Sequence, residues 1–407
     1  MVEEREYDLV LYGATSFVGR LIAAHLAGHA PPGARIALAG RSKSRLEATR
    51  AQLPAPASDW PLLVADAADA DAVARMVAST TALATTVGPY AKYGMPVVEA
   101  CATAGTHYAD LTGEIQFARA AIDRTDGPAR ATRARIVHSC GYDSIPSDLG
   151  VLMLHQRAAE DGNGDLGEVT MVAAARGGLS GGTFDSLRGE VDAARADPEK
   201  ARVARDPYSL SPDRDAEPQP DQPSDFPKPE RHGGMWTAPF VMAPYNTRIV
   251  RRSNALSGYA YGRQLRYREL MACGSHPLGA VAATVVRAGL GAMAGAMSNG
   301  ITRPVVDRVL PAPGQGPSEK RRRAGWFRSD FDALTASGER YRATISGRGD
   351  PGYNATAVMF GESALCLALD GDRLPERAGS LTPATAMGAV LIERLRAAGH
   401  NYVVSRA

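Results

Sequence analysis

Cysteine is scarce. Only four occur in 407 residues (Cys101, Cys140, Cys273 and Cys366), and no two form a Cys-x-x-Cys pair. That spacing argues against a zinc knuckle or a redox dithiol and reads as reduced thiols of a cytoplasmic protein. Metal-ligand patterns are equally thin. Among eight histidines only His25 and His29 stand four apart, with no glutamate after His25, so they read as helix-surface residues and no metal is expected. Charge of one sign is not in excess either: 46 basic and 44 acidic side chains leave +2, which argues against nucleic acid as the main partner. The acidic start, Met-Val-Glu-Glu-Arg-Glu-Tyr-Asp, lacks a secretory pattern. Tyr-x-x-x-Lys is absent around all 14 tyrosines, which removes the proton relay of short-chain dehydrogenases. One long apolar run exists, Pro277–Gly300, near the length of a membrane span. Arg287 at its middle, and Ala and Gly in place of Leu and Ile, favour a buried or lipid-facing helical segment.

What is present begins with Leu-Val-Leu-Tyr-Gly-Ala-Thr-Ser-Phe-Val-Gly, an apolar run that turns through glycine into a helix-like repeat. Such a turn aims backbone N–H groups and the positive end of a helix at a phosphate. Gly13 would make the turn and Gly19 would allow close packing, with Ala14, Thr15, Phe17 and Val18 between them. Ser16 occupies the position facing the pyrophosphate, where its hydroxyl would donate to a phosphate oxygen. An ordinary βα loop of small residues is the competing reading.

Further apolar runs near 35–39, 61–65, 82–87, 107–111 and 135–139 alternate with helix-like segments. This is an α/β pattern, a Rossmann-like doubly wound parallel sheet, in which ligands bind beyond the carboxyl ends of the strands. After the second run, where an NAD-selective chain carries an acidic residue, stand Arg41, Ser42 and Lys43. A guanidinium there pairs with a 2′-phosphate, so the expected cofactor is NADP(H). Ser44 with Glu47 fits a capping box, which would leave Ser42 free to bind. Asp66 either accepts from the adenine amino group or caps the next helix. Val87, Gly88 and Pro89 break the fourth strand where the nicotinamide half should cross, bringing the phenols of Tyr90 and Tyr93 near it. Two later strand ends bring His107, Tyr108, Asp110, Glu114, Cys140, Tyr142, Asp143 and Ser144 toward the same crevice.

Beyond about residue 150 the alternation fades. A strand, glycine loop and helix precede a Pro-rich stretch, Asp206–His232, that reads as an excursion or partly disordered loop. Apolar alternation in Pro-Phe-Val-Met-Ala-Pro-Tyr-Asn-Thr-Arg-Ile-Val-Arg-Arg-Ser suggests a second, antiparallel sheet. The stretches from Gly349 and Gly379 read as amphipathic helices, with Pro383 in a first turn. Gly178-Leu179-Ser180-Gly181-Gly182 matches the Gly-x-Ser-x-Gly of a hydrolase elbow, but the cofactor motifs would then have no role.

GATSFVGR, AGRS, VGPYAKYG, VVEACATAGTHYADLTGE, CGYDSIPSDLG, GGLSGGTFDS, GDPGY and GSLTPATAMG occur in order over most of the chain. Together they resemble the saccharopine dehydrogenase-like oxidoreductases, and within them the actinobacterial trans-acting enoyl reductases. The resemblance implies a Rossmann domain over 1–150 and an inserted α+β substrate or dimerisation domain over 151–350, with its Pro-rich excursion at 206–232. C-terminal helices over 351–407 would return to the first domain. It also implies NADP(H). The expected reaction is enoyl reduction on a polyketide or lipid intermediate, carried free or on a carrier protein. Tyr90, Tyr108 and Tyr142 are candidate donors to the substrate, and Asp143 a candidate to orient a neighbour or the ribose. The basic run Glu319–Phe327 is either a carrier dock or a solvated loop, and Pro277–Gly300 an acyl or peripheral membrane contact. A binding protein that keeps NADP(H) as a sensor, a saccharopine-type dehydrogenase and a homodimer remain alternatives at this point.

Overall fold

The computed structural model describes residues 5–177, 181–297 (backbone alone for 181–185 and 187), 302–303 and 317–407. The first half repeats a strand–helix unit: β1 (Tyr7–Tyr12), α1 (Phe17–His29), β2 (Ile36–Gly40), α2 (Lys43–Arg50), β3 (Leu62–Val64), α3 (Ala70–Ala78), β4 (Thr80–Thr85), α4 (Tyr90–Ala104), β5 (His107–Ala109), α5 (Ile115–Thr132) and β6 (Arg135–Val137). Its strands pair in parallel in the order β6-β5-β4-β1-β2-β3. Leu9, Val10, Leu11, Ala37, Leu38 and Ala39 are buried, as strands covered on both faces require. Strand order reverses between β1 and β4, which puts a ligand crevice at their carboxyl ends.

The chain leaves this sheet through α6 (Ile145–Glu160) and builds a second: β7 (Leu166–Arg176), α7 (Gly181–Ala196), α8 (Pro198–Arg205), β8 (Glu230–His232), β9 (Met235–Pro239), α9 (Ala243–Leu256), β10 (Arg266–Ala272), α10 (Leu278–Met297), β11 (Trp326–Thr335) and β12 (Arg340–Arg348). This sheet is mixed, not antiparallel as expected, because β7 and β10 run parallel. Helix α6 backs it closely. Gly150 makes that approach possible, since a Cβ there would lie 2.3 Å from the Phe331 ring.

The expected strand around Thr247–Ser253 is helix α9 instead. Three buried arginines hid its period by facing inward. Arg248 donates to Ala204 O (2.7 Å) and Asp206 O (3.0 Å), Arg251 to Pro207 O (3.0 Å), and Arg252 to Leu210 O and Ser380 O (both 2.6 Å). The bonds to Asp206, Pro207 and Leu210 satisfy carbonyls that proline-rich chain cannot pair in a ladder, so the start of the 206–232 stretch is an ordered strap.

The C-terminal segment holds more than helices. Strand Gly379–Leu381 extends the first sheet beside β6, and Asn401–Arg406 extends the second beside β12. Helix Thr356–Leu369 is buried on nearly every side rather than amphipathic. Its Glu362 bonds His25 Nε2 at 2.9 Å, so His25 is a core residue and not a surface one. Pro383 stands behind the Thr382–Thr385 capping box.

Pro277–Gly300 forms α10 as far as Met297, but it is not buried: Val281 is 59% exposed and Leu278 70%. Length and composition would allow it to cross a membrane. It rests on β9, with Gly279 against Trp236, and Arg287 stacks over Phe226 at 4.8 Å.

Candidate functional site

The site assembles where β1 and β4 end. Gly13 takes φ +87°, and a Cβ there would meet Thr86 Oγ1 at 2.6 Å, so only glycine fits this turn. Gly19 lies so close beneath that its Cβ would be 2.3 Å from Gly13 O. Among the described residues no backbone acceptor pairs with the amides of Thr15, Phe17 or Val18. Together with the positive end of α1 they form a ready anion cradle.

Ser16 plays a different part from the one expected. Its Oγ accepts from Gly19 N (2.9 Å) as the N-cap of α1 and lies 3.0 Å from Thr86 Oγ1. Thr86 spends its proton on Gly13 O (2.9 Å), so Ser16 must be the donor between them and its hydroxyl is already committed. Thr86, missed in the sequence, thus ties β4 to the phosphate turn. Its only signal was a polar residue directly after a buried strand.

At the end of β2, Arg41 and Lys43 are exposed. Ser42, not Ser44, is the N-cap of α2, accepting from Arg45 N at 3.5 Å, so it is not the free side chain expected. Asp66 is exposed and bonds Ala68 N (3.0 Å), while the cap of α3 is Asp69. The phenol of Tyr12, which donates to Ala65 O (3.3 Å), feels the charges of both Asp66 and Arg41. Burial and the Asp66 charge push its pKa up to about 12, against the pull of Arg41. The turn no side chain could fill, the free helix amides and the exposed Arg41 fit a dinucleotide bearing a 2′-phosphate.

Val87, Gly88 and Pro89 line the rim beyond β4, and Gly88 and Pro89 are exposed. Tyr90 and Tyr108 behind them are not free donors. Tyr90 OH donates to Thr85 O (3.0 Å) and accepts from Leu111 N (3.1 Å), which locks β4 to the loop after β5. Tyr108 OH is wholly buried and donates to Asp110 (3.0 Å). Burial raises the pKa of both well above the usual phenol value. Tyr142 packs edge-on to Phe327 (5.2 Å) and contacts Ser329, with burial again raising its pKa. Tyr93 is half-buried under the Lys92 ammonium. His107 opens β5 and accepts from Arg135 N (3.1 Å), at the edge of the sheet opposite the crevice. Cys140 is buried with Sγ toward Val137 O (3.7 Å), so its thiol belongs to the core. Ser180 lies outside the described residues.

The loop after β6 is fixed from several sides. Cys140 N bonds Asp110 O (2.8 Å), Tyr142 N bonds Thr356 Oγ1 (3.2 Å), and Ser144 Oγ bonds Asn246 of α9 (3.0 Å). Ser139 holds φ +64° because its N–H bonds Asp110 (2.9 Å) and its hydroxyl bonds Thr112 O (2.7 Å). Asp110 gathers Thr112 N (3.0 Å) and His138 Nδ1 (2.7 Å) as well. From Ile136 to Val151 every residue is buried except Asp143. No described residue hydrogen-bonds or ion-pairs with its carboxyl, and burial alone raises its pKa from 3.8 to about 6. Glu114 differs. It accepts from Tyr90 N (3.0 Å), Ala91 N (2.7 Å) and Ser186 of α7 (3.2 Å), and so serves as a strut. The described residues therefore offer a dinucleotide cradle and, in the rigid loop after β6, an acid with no partner among them that can change protonation near neutral pH.

Residues 9–135 match the family model described as the saccharopine dehydrogenase NADP binding domain. A Mycobacterium tuberculosis protein named provisionally as a trans-acting enoyl reductase is 51% identical over 99% of this chain and 98% of its own length. The Mycobacterium bovis trans-acting enoyl reductase is 47% identical, covering 97% of each chain. In structure, the apo saccharopine dehydrogenase (L-Glu forming) of Saccharomyces cerevisiae superposes with a TM-score of 0.56 over 98% of this chain and 99% of its own. At 12% identity, that likeness shows the fold alone.

Proposed function

Because the chain belongs to the trans-acting enoyl reductases of the saccharopine dehydrogenase-like group, we propose that it reduces the carbon–carbon double bond of an enoyl thioester. Its NADP(H) dependence as an oxidoreductase is settled by that membership; the substrate and the acid are the proposal. NADPH, when bound, supplies the hydride that the β-carbon receives. Gly13, the free amides of Thr15, Phe17 and Val18, and Arg41 would hold it.

Asp143 carries the reading. Once the β-carbon is reduced, the α-carbon of the enolate must take a proton, which calls for a reachable acid that is partly protonated near neutral pH. A pKa of about 6 leaves roughly a tenth of Asp143 protonated at pH 7. Tyr90 and Tyr108 already donate their hydroxyl hydrogen bonds to Thr85 O and Asp110. Asp143 therefore acts as proton donor, with the loop from Ser139 to Ser144 holding it in place. Addition of hydride at Cβ and a proton at Cα yields the saturated thioester and NADP⁺. The reading places the substrate on a polyketide or lipid assembly line, delivered by a carrier protein in the cytoplasm. The exposed apolar stripe of α10 then serves lipid contact or self-association.

Steady-state oxidation of NADPH with a crotonyl thioester tests this. Asp143→Asn should lower kcat by about 10²–10⁴-fold and leave NADPH affinity unchanged. A wild-type protein that binds NADPH tightly yet reduces no enoyl thioester would instead be a cofactor-retaining sensor.

A further inference from the structure

On the open face of the second sheet, cations are mostly matched. Arg328 pairs with Asp330 (2.6 Å), Arg342 with Asp332 (3.0 Å), Arg266 with Glu168 (2.9 Å) and Arg268 with Glu230 (2.6 Å). Arg340, at the far end of β12, and one corner have no such partner among the described residues. Arg176, Trp326 and Arg348 form a row across β7, β11 and β12, directly opposite one another in register and therefore on one face. Trp326 is 42% exposed, and neither flanking arginine meets a carboxylate among the described residues. Immediately before β11, the short helix Glu319–Arg323 adds exposed Lys320 and Arg321, which meet no carboxylate among the described residues, while Arg323 pairs with Glu319 (2.5 Å).

This corner adjoins the reaction crevice. Arg322, in the same short helix, stacks on Phe17 at 5.0 Å, and Phe17 opens α1 behind the phosphate turn. Arg322 O accepts from Asp350 N (2.9 Å), which fixes the helix to the turn before Thr356. An exposed indole among unmatched cations, next to the crevice, is complementary to an anionic partner with an apolar side chain.

We propose that the corner formed by Arg176, Lys320, Arg321, Trp326 and Arg348 docks an acidic carrier protein whose thioester arm enters the crevice past Arg322. The inference rests on the enoyl thioester reading above and names the partner of that site. Charge complementarity selects this occupant. An acidic helix seated on the row would supply the carboxylates that most arginines of the sheet face already have, while the indole takes an apolar side chain between them.

The test is a triple charge reversal, Lys320→Glu, Arg321→Glu and Arg348→Glu. It is assayed with crotonyl-loaded acyl carrier protein and with crotonyl-N-acetylcysteamine. For the carrier-bound substrate kcat/KM should fall about tenfold or more, mainly through KM, with free thioester turnover within about twofold. Added salt should reproduce the loss in the native protein and not in the variant. Calorimetric titration with unloaded carrier protein separates docking from chemistry. Wild-type binding weakened about tenfold in the variant supports the dock even if no thioester is reduced. Equal losses on both substrates, or no loss on either, overturn it. So does variant-sensitive binding to phosphatidylglycerol vesicles with carrier binding unchanged, which would assign the corner to a membrane.

Discussion

Asp143→Asn should stabilise the protein while disabling it. In the folded chain burial holds this carboxyl at about 6, against an ordinary 3.8. A folded value above the unfolded one means that the native state grips the proton. Its stabilising contribution is whole below pH 3.8 and is lost as pH rises through about 6. Full ionisation then costs the native state about 3 kcal/mol, at about 1.4 kcal/mol per pKa unit. Linkage puts the cost at about 1 kcal/mol at about pH 4.5 and nearly the full 3 kcal/mol above about pH 7; partial solvent contact lowers both in proportion. Asparagine keeps the shape without the charge. Urea unfolding followed by circular dichroism across this range should therefore show the variant gaining on the wild type by about 2 kcal/mol from the acid end to neutrality. Parallel stability curves would refute the reasoning, because they would mean that the carboxyl is hydrated or paired when folded. A destabilising carboxyl retained in a rigid loop is what a functional acid costs the fold.

Other outcomes follow from the same geometry. Arg41→Ala should weaken NADPH binding about 10–100-fold and leave NADH little changed, as read by fluorescence titration. Gly13→Ala places a methyl against Thr86 Oγ1 and forces an alanine to φ +87°, so it should abolish cofactor binding and lower stability by about 1–3 kcal/mol in denaturant melts. Tyr90→Phe and Tyr108→Phe should keep kcat within a few-fold while losing about 1–2 kcal/mol of stability; a kcat collapse would return the donor role to a phenol. Val281→Asp, on the exposed stripe of α10, should change unfolding by less than about 0.5 kcal/mol but reduce binding to lipid vesicles or self-association in sedimentation.

The first sheet was legible because parallel strands buried on both faces leave unbroken apolar runs, and the six expected near 8–12 through 135–139 became β1 to β6. The glycine turn after β1 was legible for a local reason: only glycine suits the Gly13 position. Side-chain commitments were not. Ser16, Tyr90, Tyr108 and Cys140 have the right chemistry at the right strand ends, yet their polar atoms are taken by Thr86, Thr85, Asp110 and the core, partners that only the fold brings near. Helix α9 was misread as a strand because Arg248, Arg251 and Arg252 point inward, inverting the usual link between polarity and exposure. Asp143 emerged for the converse reason: it is the one residue of the long buried stretch Ile136–Val151 that is not fully buried, and no described residue pairs with its carboxyl.

The central claim is best tested by where the new hydrogen comes from. With an enoyl thioester, NADPH and wild-type protein in D₂O, mass and NMR analysis of the product should show one solvent deuterium, at the α-carbon with a single configuration. Asp143→Asn should form that product far more slowly, without the pH dependence near 6 of the wild type. Solvent deuterium scattered over both faces of the α-carbon, at a rate the asparagine variant leaves untouched, would contradict an enzyme-borne acid at this position.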